Sequence, residues 1–229
     1  KNNLSLEFLP KKSFQCDLTN IIDEIKDCDG KTLIYCKTQA GTQKIAEGLQ
    51  CQGVPAVYYH GGLDSGKRTH IQNDYKQNPK GVMVATIAFG MGIDIPDIHL
   101  IIHYGISRDI ESYYQEVGRA GRDKMAASCI TFYSPADFCL NRRFANQIES
   151  ATHRQRQIDA CVNLERLVKT KTCRMKLLTD YFGESLDRVC DRCDVCMSTD
   201  NPKPEQSPTV LPGIMVTHII LSALHNLGY

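Results

Sequence analysis

Short apolar runs alternate with amphipathic stretches through the first half of the chain. Thr32-Leu33-Ile34-Tyr35-Cys36 is a near-continuous apolar run, the pattern of a strand covered on both faces. Thr42 to Leu49 changes to a helical period, with Ile45, Ala46 and Leu49 on one side and a stop near Gly53. Ala56 to Tyr59 predicts a second strand, and Asp64 or Ser65 predicts the cap of a helix that buries Ile71 and Tyr75. Val82 to Ala85, Leu100 to Ile102 and Ser128 to Phe132 supply further strands. Strands alternating with helices argue an α/β fold, a mostly parallel sheet with helices on both faces.

From Pro135 the pattern becomes helical without strands. Asp137 to Ile148 and Gln155 to Val168 predict a pair of helices, and Cys173 to Phe182 a third. Residues 198–213, rich in Pro, Ser, Thr and Asn, predict a linker. Beyond it, Val216, Ile219, Ile220, Ala223, Leu224 and Leu227 mark one face of a helix whose packing partners lie outside this chain.

A length of 229 residues suits one large domain plus something smaller. The net charge of +1 supplies no global attraction for nucleic acid, so any such contact must be local. Arg154, Arg156, Arg166, Lys169, Lys171, Arg174 and Lys176 make the helical part locally basic, which fits either a DNA contact or a solvated helix face. The chain starts at Lys1 and stops at Tyr229 inside a helical pattern, which suggests an excised piece. Its longest apolar stretch, Ile214 to Leu227, is too short and too interrupted to span a bilayer. Eleven cysteines without a secretory leader point to an intracellular, reducing setting.

The densest chemistry lies in Gln115-Glu116-Val117-Gly118-Arg119-Ala120-Gly121-Arg122-Asp123. Two arginines three residues apart, bracketed by glycines, present planar guanidiniums where a phosphate can approach the backbone. An isolated pair of this kind also fits a solvated helix end. A nucleotide site needs a phosphate loop as well, and Gly61-Gly62-Leu63-Asp64-Ser65-Gly66-Lys67-Arg68 imitates one. Arg68 stands where a hydroxyl must reach magnesium, and no apolar strand ends in an Asp-Glu pair. Gly90-Met91-Gly92 imitates a dinucleotide fingerprint, but Ile95 replaces its third glycine. The chain therefore carries half of an ATP site.

Thr38, His60 and Thr86 each follow a predicted strand, at the edge where open α/β sheets bind ligands. Each has an ordinary alternative: the threonines as helix caps, the histidine as a hydrogen-bonded turn residue. A metal site is more sharply marked. Cys190, Cys193 and Cys196 form a tight knuckle, and Cys173 completes a four-thiolate set suited to one structural Zn2+. Spacing alone also allows Cys161 in place of Cys173.

The arginine segment resembles the last motif of superfamily 2 helicases, and its wording is closest to the RecQ family. The resemblance extends through Tyr59-His60-Gly61-Gly62-Leu63, Ala85-Thr86-Ile87-Ala88-Phe89-Gly90-Met91-Gly92-Ile93-Asp94, Ile102-His103-Tyr104-Gly105 and Ser134-Pro135-Ala136-Asp137. The four-cysteine pattern downstream is more specific to RecQ, and within the family the chain is most similar to the Werner syndrome helicase group. Ile220-Leu221-Ser222-Ala223-Leu224 resembles the start of a winged-helix domain.

The resemblance implies a second RecA-like lobe at 1–134, a helical zinc-binding subdomain at 135–197, the linker, and a truncated winged-helix start at 214–229. It implies that ATP and Mg2+ are held mainly by an absent first lobe, and that the whole protein is a 3′–5′ DNA helicase acting on single-stranded and forked DNA in the nucleus. Arg122 is then the principal arginine finger, with Arg119 and Gln115 ordering the interlobe site and Asp94 and Gly92 lining it. Thr38, His60 and Thr86 are implied contacts to the DNA backbone. Two departures stand out: Ile95 replaces a residue that is basic in many relatives, and Lys124 replaces the usual glycine after Arg122-Asp123. Competing readings are an RNA helicase lobe and a non-enzymatic zinc module that binds DNA or protein.

Overall fold

The computed structural model describes residues 3–90, 94–184 and 186–198. The chain divides into two compact units, Lys1–Thr170 and Lys171–Tyr229. The expected final helix at 214–229, and the expected linker apart from Ser198, lie outside the described residues.

The first unit is built on β1 (Leu4–Pro10), β2 (Lys31–Cys36), β3 (Ala56–Tyr59), β4 (Val82–Ala85), β5 (Ile98–Tyr104) and β6 (Ala127–Tyr133). All are parallel and lie in the order β1-β6-β5-β2-β4-β3. The central strands β2 and β4 are buried along their whole length, which is why they read as near-continuous apolar runs, with Lys31 and Thr32 only at the start of β2. On one face, Leu18, Ile21 and Ile22 of α1 (Phe14–Asp27) and Ile45, Ala46 and Leu49 of α2 (Gln39–Cys51) pack on Ile34, Val84, Ile102 and Ile130. The opposite face is more aromatic. Tyr75 of α3 (Ser65–Gln77) meets Phe89 edge-on and donates to the Thr32 carbonyl. Tyr113 of α4 (Ile110–Val117) packs against Phe8 and His103.

β1 and α1 are among the elements not anticipated from the sequence, as are α4 and a short helix at Asp194–Met197. β1 pairs along β6 at the sheet edge, and Leu4, Leu6 and Phe8 alternate inward with period two. α1 begins where the Ser13 hydroxyl accepts from Cys16 N–H and buries one apolar stripe. Both signals are present in the residues. The sheet consequently begins at Leu4, well before Thr32.

α5 (Pro135–Asn146) and α6 (Ala151–Lys169) belong to the first unit. Asn141 donates to the carbonyls of Ser107 and Arg108, and Gln157 donates to Asp109. The spatial division thus falls after α6, whereas the sequence pattern changes at Pro135. The second unit carries α7 (Arg174–Tyr181) and α8 (Asp194–Met197) among its described residues.

Ile34→Ala removes a fully buried side chain from the central strand. We expect it to lower unfolding stability by roughly 2–5 kcal/mol, read as a reduced urea midpoint with an unchanged slope.

Candidate functional site

α4 starts at Asp109, whose carboxylate accepts from Ser112 N–H at 2.7 Å. The chain leaves the helix through Gly118 and turns at Gly121, where φ is +57° and the N–H bonds to the Ile98 carbonyl at 2.9 Å. A Cβ there would lie 2.9 Å from the Met125 carbonyl oxygen, so both conformation and space require glycine. This turn brings the two arginines onto the crossover between β4 and β5. Arg119 Nη1 donates to the Gly90 carbonyl at 2.5 Å, and Arg122 Nη1 meets Asp94 Oδ1 at 2.6 Å. Their stems join Leu33, Phe89, Ile95 and Ile98 in lining a shallow recess. Ile95, the departure from a basic residue, is thus an apolar wall. Gln115 lies on the exposed side of α4, and Gly92 lies outside the described residues.

Beneath this motif is a polar network that the sequence reading missed. His103 and Glu116 are both buried, with Nε2 to Oε2 at 2.8 Å, and the Ser107 hydroxyl donates to the same carboxylate oxygen at 2.5 Å. The His103 ring also stacks on Tyr35. Glu116 has a helical neighbour's spacing from the arginines, which gave no sign that it turns inward. A second histidine, His99, sits 2.7 Å from Asp123 and ties the arginine loop to β5.

Thr38, His60 and Thr86 lie at the carboxyl ends of β2, β3 and β4, which are neighbours in the sheet. Thr86 N–H bonds to the Tyr59 carbonyl, extending the ladder one residue past the strands. Thr38 does cap α2, accepting from Gly41 N–H at 3.0 Å, yet the residue stays exposed. Thr86 begins a turn rather than a helix, with Phe89 N–H bonding to its carbonyl. His60 is 4% exposed, stacks on Tyr58, and has no hydrogen-bond partner for either ring nitrogen among the described residues. Buried polar atoms are ordinarily paired, so the unpaired His60 ring, like His103 Nδ1 and Thr131 Oγ1, is unusual among the described residues.

The imitation phosphate loop at 61–68 is filled by its own side chain. Asp64 accepts from Gly66 N–H at 2.8 Å and Lys67 N–H at 3.3 Å at the start of α3. The N–H groups that would cradle a phosphate already hold a carboxylate.

In the second unit, the sulfurs of Cys173, Cys190, Cys193 and Cys196 lie within 4.8 Å of one another. Tetrahedral zinc–thiolate bonds of about 2.3 Å place sulfurs roughly 3.8 Å apart. The Cys190–Cys196 and Cys193–Cys196 separations are 3.9 and 3.4 Å. Lys176 and Cys190 N–H groups point at Cys173 Sγ, and Cys193 N–H at Cys190 Sγ, the outer contacts that suit a thiolate. A hydrogen bond from Cys173 holds the Cys193 thiol below its ordinary range, while the same bond raises Cys173. Cys161 is excluded from this group: it sits in α6 with its sulfur on the Arg108 carbonyl. Arg174 and Asp194, each beside a ligand cysteine, form a two-point ion pair that joins the two halves of the set.

Residues 16–124 match the helicase conserved C-terminal domain, and residues 135–197 match the RecQ zinc-binding family. A putative ATP-dependent RNA helicase of Acanthamoeba polyphaga mimivirus is 40% identical over 85% of this chain and 35% of its own length. The ATP-dependent DNA helicase RecQ of Pasteurella multocida is 37% identical over 86% of this chain and 30% of its own. The bifunctional 3′-5′ exonuclease/ATP-dependent helicase WRN of Mus musculus is 32% identical over 76% of this chain and 13% of its own. The chain thus spans about a third, or less, of the length of these curated relatives. Among solved structures, the Escherichia coli DEAD-box protein SrmB aligns with a TM-score of 0.55 at 20% identity, over 66% of this chain and 88% of that one, a likeness of fold.

Two outcomes are expected. Cys193→Ser should reduce bound zinc from about one equivalent toward zero and expose 171–198 to protease, checked by metal analysis and limited proteolysis. Lys124 holds φ at +70° in the arginine loop. Lys124→Gly should therefore raise stability by about 0.5–1 kcal/mol, seen as a higher unfolding midpoint.

Proposed function

Because this chain belongs to the RecQ family of helicases, we propose that it is the C-terminal part of the catalytic core of an ATP-dependent 3′–5′ DNA helicase. In this reading it is the second RecA-like lobe, with residues 135–197 acting as one zinc-binding region that carries a single structural Zn2+. ATP and Mg2+ sit mainly on the preceding lobe, since neither a phosphate loop nor an acidic metal-binding strand end occurs in these residues. The chain by itself is expected to be inactive. Nuclear location, with work in DNA repair and recombination, belongs to this reading through the Werner-type resemblance.

One observation carries the mechanism. A single crossover, running from Thr86 to Asp97, touches both sets of proposed site residues. At its start Thr86 shares the strand edge with Thr38 and His60, where a DNA backbone would lie. Phe89 then anchors the segment, packed on Tyr59 and Tyr75, with its carbonyl accepting from the Tyr35 hydroxyl. Gly90 receives Arg119 and Asp94 receives Arg122.

When the lobes close on nucleotide, Arg122 exchanges Asp94 for γ-phosphate oxygens and stabilises the charge that spreads there during transfer. Arg119, tied to Gly90, holds the loop in register, and Gln115 faces the same cleft from α4. Asp94 keeps the guanidinium extended and charged-paired until the phosphate arrives. Movement of the crossover then alters the grip of Thr86 on the strand, so each closing and opening shifts the backbone by a step. Backbone contacts of this kind hold all sequences alike.

The test is Arg122→Ala in the full-length protein. DNA-stimulated ATP turnover should fall by about 10³-fold or more while single-strand affinity stays within about threefold. Normal turnover, or loss of DNA binding with turnover intact, would overturn the finger assignment. ATPase silence in the full-length parent would instead favour a non-enzymatic zinc module.

A further inference from the structure

The carboxyl edge of the sheet carries a second polar cluster, beyond Thr38, which none of the motifs marks. Lys11 follows β1, Lys37 follows β2, Gly105 follows β5, and Asp137 follows β6 in the first turn of α5. Lys11 Nζ lies 3.3 Å from Asp137 Oδ2, and Lys37 Nζ lies 3.4 Å from Asp137 Oδ1. Two ammonium groups therefore share one carboxylate. Oδ2 of that carboxylate already accepts from the Ser134 N–H and hydroxyl, each at 2.9 Å. Both lysine distances exceed the roughly 2.7–2.9 Å of a tight charged hydrogen bond. The other nearby carboxylate, Asp17, is taken up by Lys12 N–H and the Tyr104 hydroxyl.

Lys37 finds a further neutral acceptor in Asn141 Oδ1 at 3.0 Å, and Lys11 lies over the Tyr104 ring. The lysine side chains are 24% and 21% exposed, so their charge is only partly solvated yet open to a ligand. Burial pulls the Lys37 ammonium below its ordinary range, and Asp137 only partly restores it. Gly105, at φ +113°, leaves the space between them free: a Cβ there would meet Asp137 Oδ1 at 3.1 Å and Lys11 Nζ at 3.4 Å.

The sheet order sets where this cluster falls. Reading along the edge, His60, Thr86 and Thr38 end β3, β4 and β2; β5, β6 and β1 follow, each about 4.8 Å from the last. Lys37 is the residue before Thr38. A strand backbone lying across the first three therefore arrives next at the lysines.

We propose that Lys11 and Lys37 form a further phosphate subsite for single-stranded DNA, in which one backbone phosphate takes the place beside them that Asp137 fills only loosely. The inference rests on the reading above, in which DNA follows this edge. Asp137 acts as a resident competitor: it holds the lysines in position without strand and yields them to phosphate.

The experiment uses the full-length protein and a series of salt titrations with a fluorescent oligo-dT single strand. Each phosphate contact to single-stranded DNA contributes about 0.7 to the slope of log affinity against log salt. Lys11→Gln/Lys37→Gln should lower the slope by about 0.7 and weaken binding roughly three- to tenfold at moderate salt. Asp137→Asn, which keeps the acceptor for Ser134 but removes the competing charge, should tighten binding. A purely structural ion-pair lock predicts instead that Asp137→Asn brings no gain in affinity. Circular dichroism on each variant checks the fold, and if the double variant fails to fold, the sign of the Asp137→Asn change decides. An unchanged slope in a folded double variant, with Thr86→Ala weakened, overturns the subsite and leaves the DNA-edge reading standing. If Thr86→Ala is also unchanged, both fall.

Discussion

A strand covered on both faces has nowhere to place a polar side chain except at its ends. β2 and β4 are in that position, and the consequence spreads through the first unit. Apolar side chains fill both layers between sheet and helices, and desolvation makes any unpaired polar group there costly. Chemistry is therefore driven out to the strand ends and the crossovers. Because every strand is parallel, all carboxyl ends collect at one edge, and Thr38, His60, Thr86, Lys37 and Lys11 share it without being close in sequence. His103 is the exception: Glu116 holds its Nε2, and Ser107 donates to that carboxylate, while Nδ1 stays buried with no hydrogen-bond partner among the described residues.

The arginine loop depends on the sheet in a different way. Its backbone bonds to Ile98 and Pro96, at the opposite end of β5 from Gly105. The crossover has to travel from the carboxyl end of β4 to the start of β5, and so connects the two edges of the sheet within twelve residues or so. Asp94 and Gly90 lie on that path by necessity of topology, and the arginines reach them because α4 runs back along the same face. The zinc unit needs none of this. Its order comes from four sulfurs and one ion pair, the solution open to a segment too short to bury much apolar surface.

Much of this was legible in the sequence. Near-continuous apolar runs mark β2 and β4, and the knuckle spacing with Cys173 marks the four cysteines whose sulfurs cluster, a group that leaves out Cys161. Rejecting the loop at 61–68 on the strength of Arg68 agrees with Asp64 occupying its N–H groups. β1 was overlooked because Glu7 and Ser5 dilute its apolar content, although the alternation is regular. Lys11 and Lys37 could not be linked before the strand order was known, since 26 positions separate them and only the placement of β5 and β6 brings their ammoniums to one carboxylate. Glu116 was hidden for a related reason: a charged residue in a motif full of arginines gives no hint that its partner is a histidine on a strand.

The buried network under α4 has a mechanical consequence. Asp109 fixes the helix start, Glu116 is held by Ser107 and His103 near its end, and Tyr113 wedges between Phe8 and His103 in the middle. Twisting α4 about its axis would strip a carboxylate of both partners in a dry interior. The helix is thus a stiff strut rather than a spring, and the guanidinium at its tip inherits that stiffness. In the proposed closure, delivery of Arg122 to a phosphate would then depend on how far the whole lobe swings, with only the last few bonds of a side chain left to adjust.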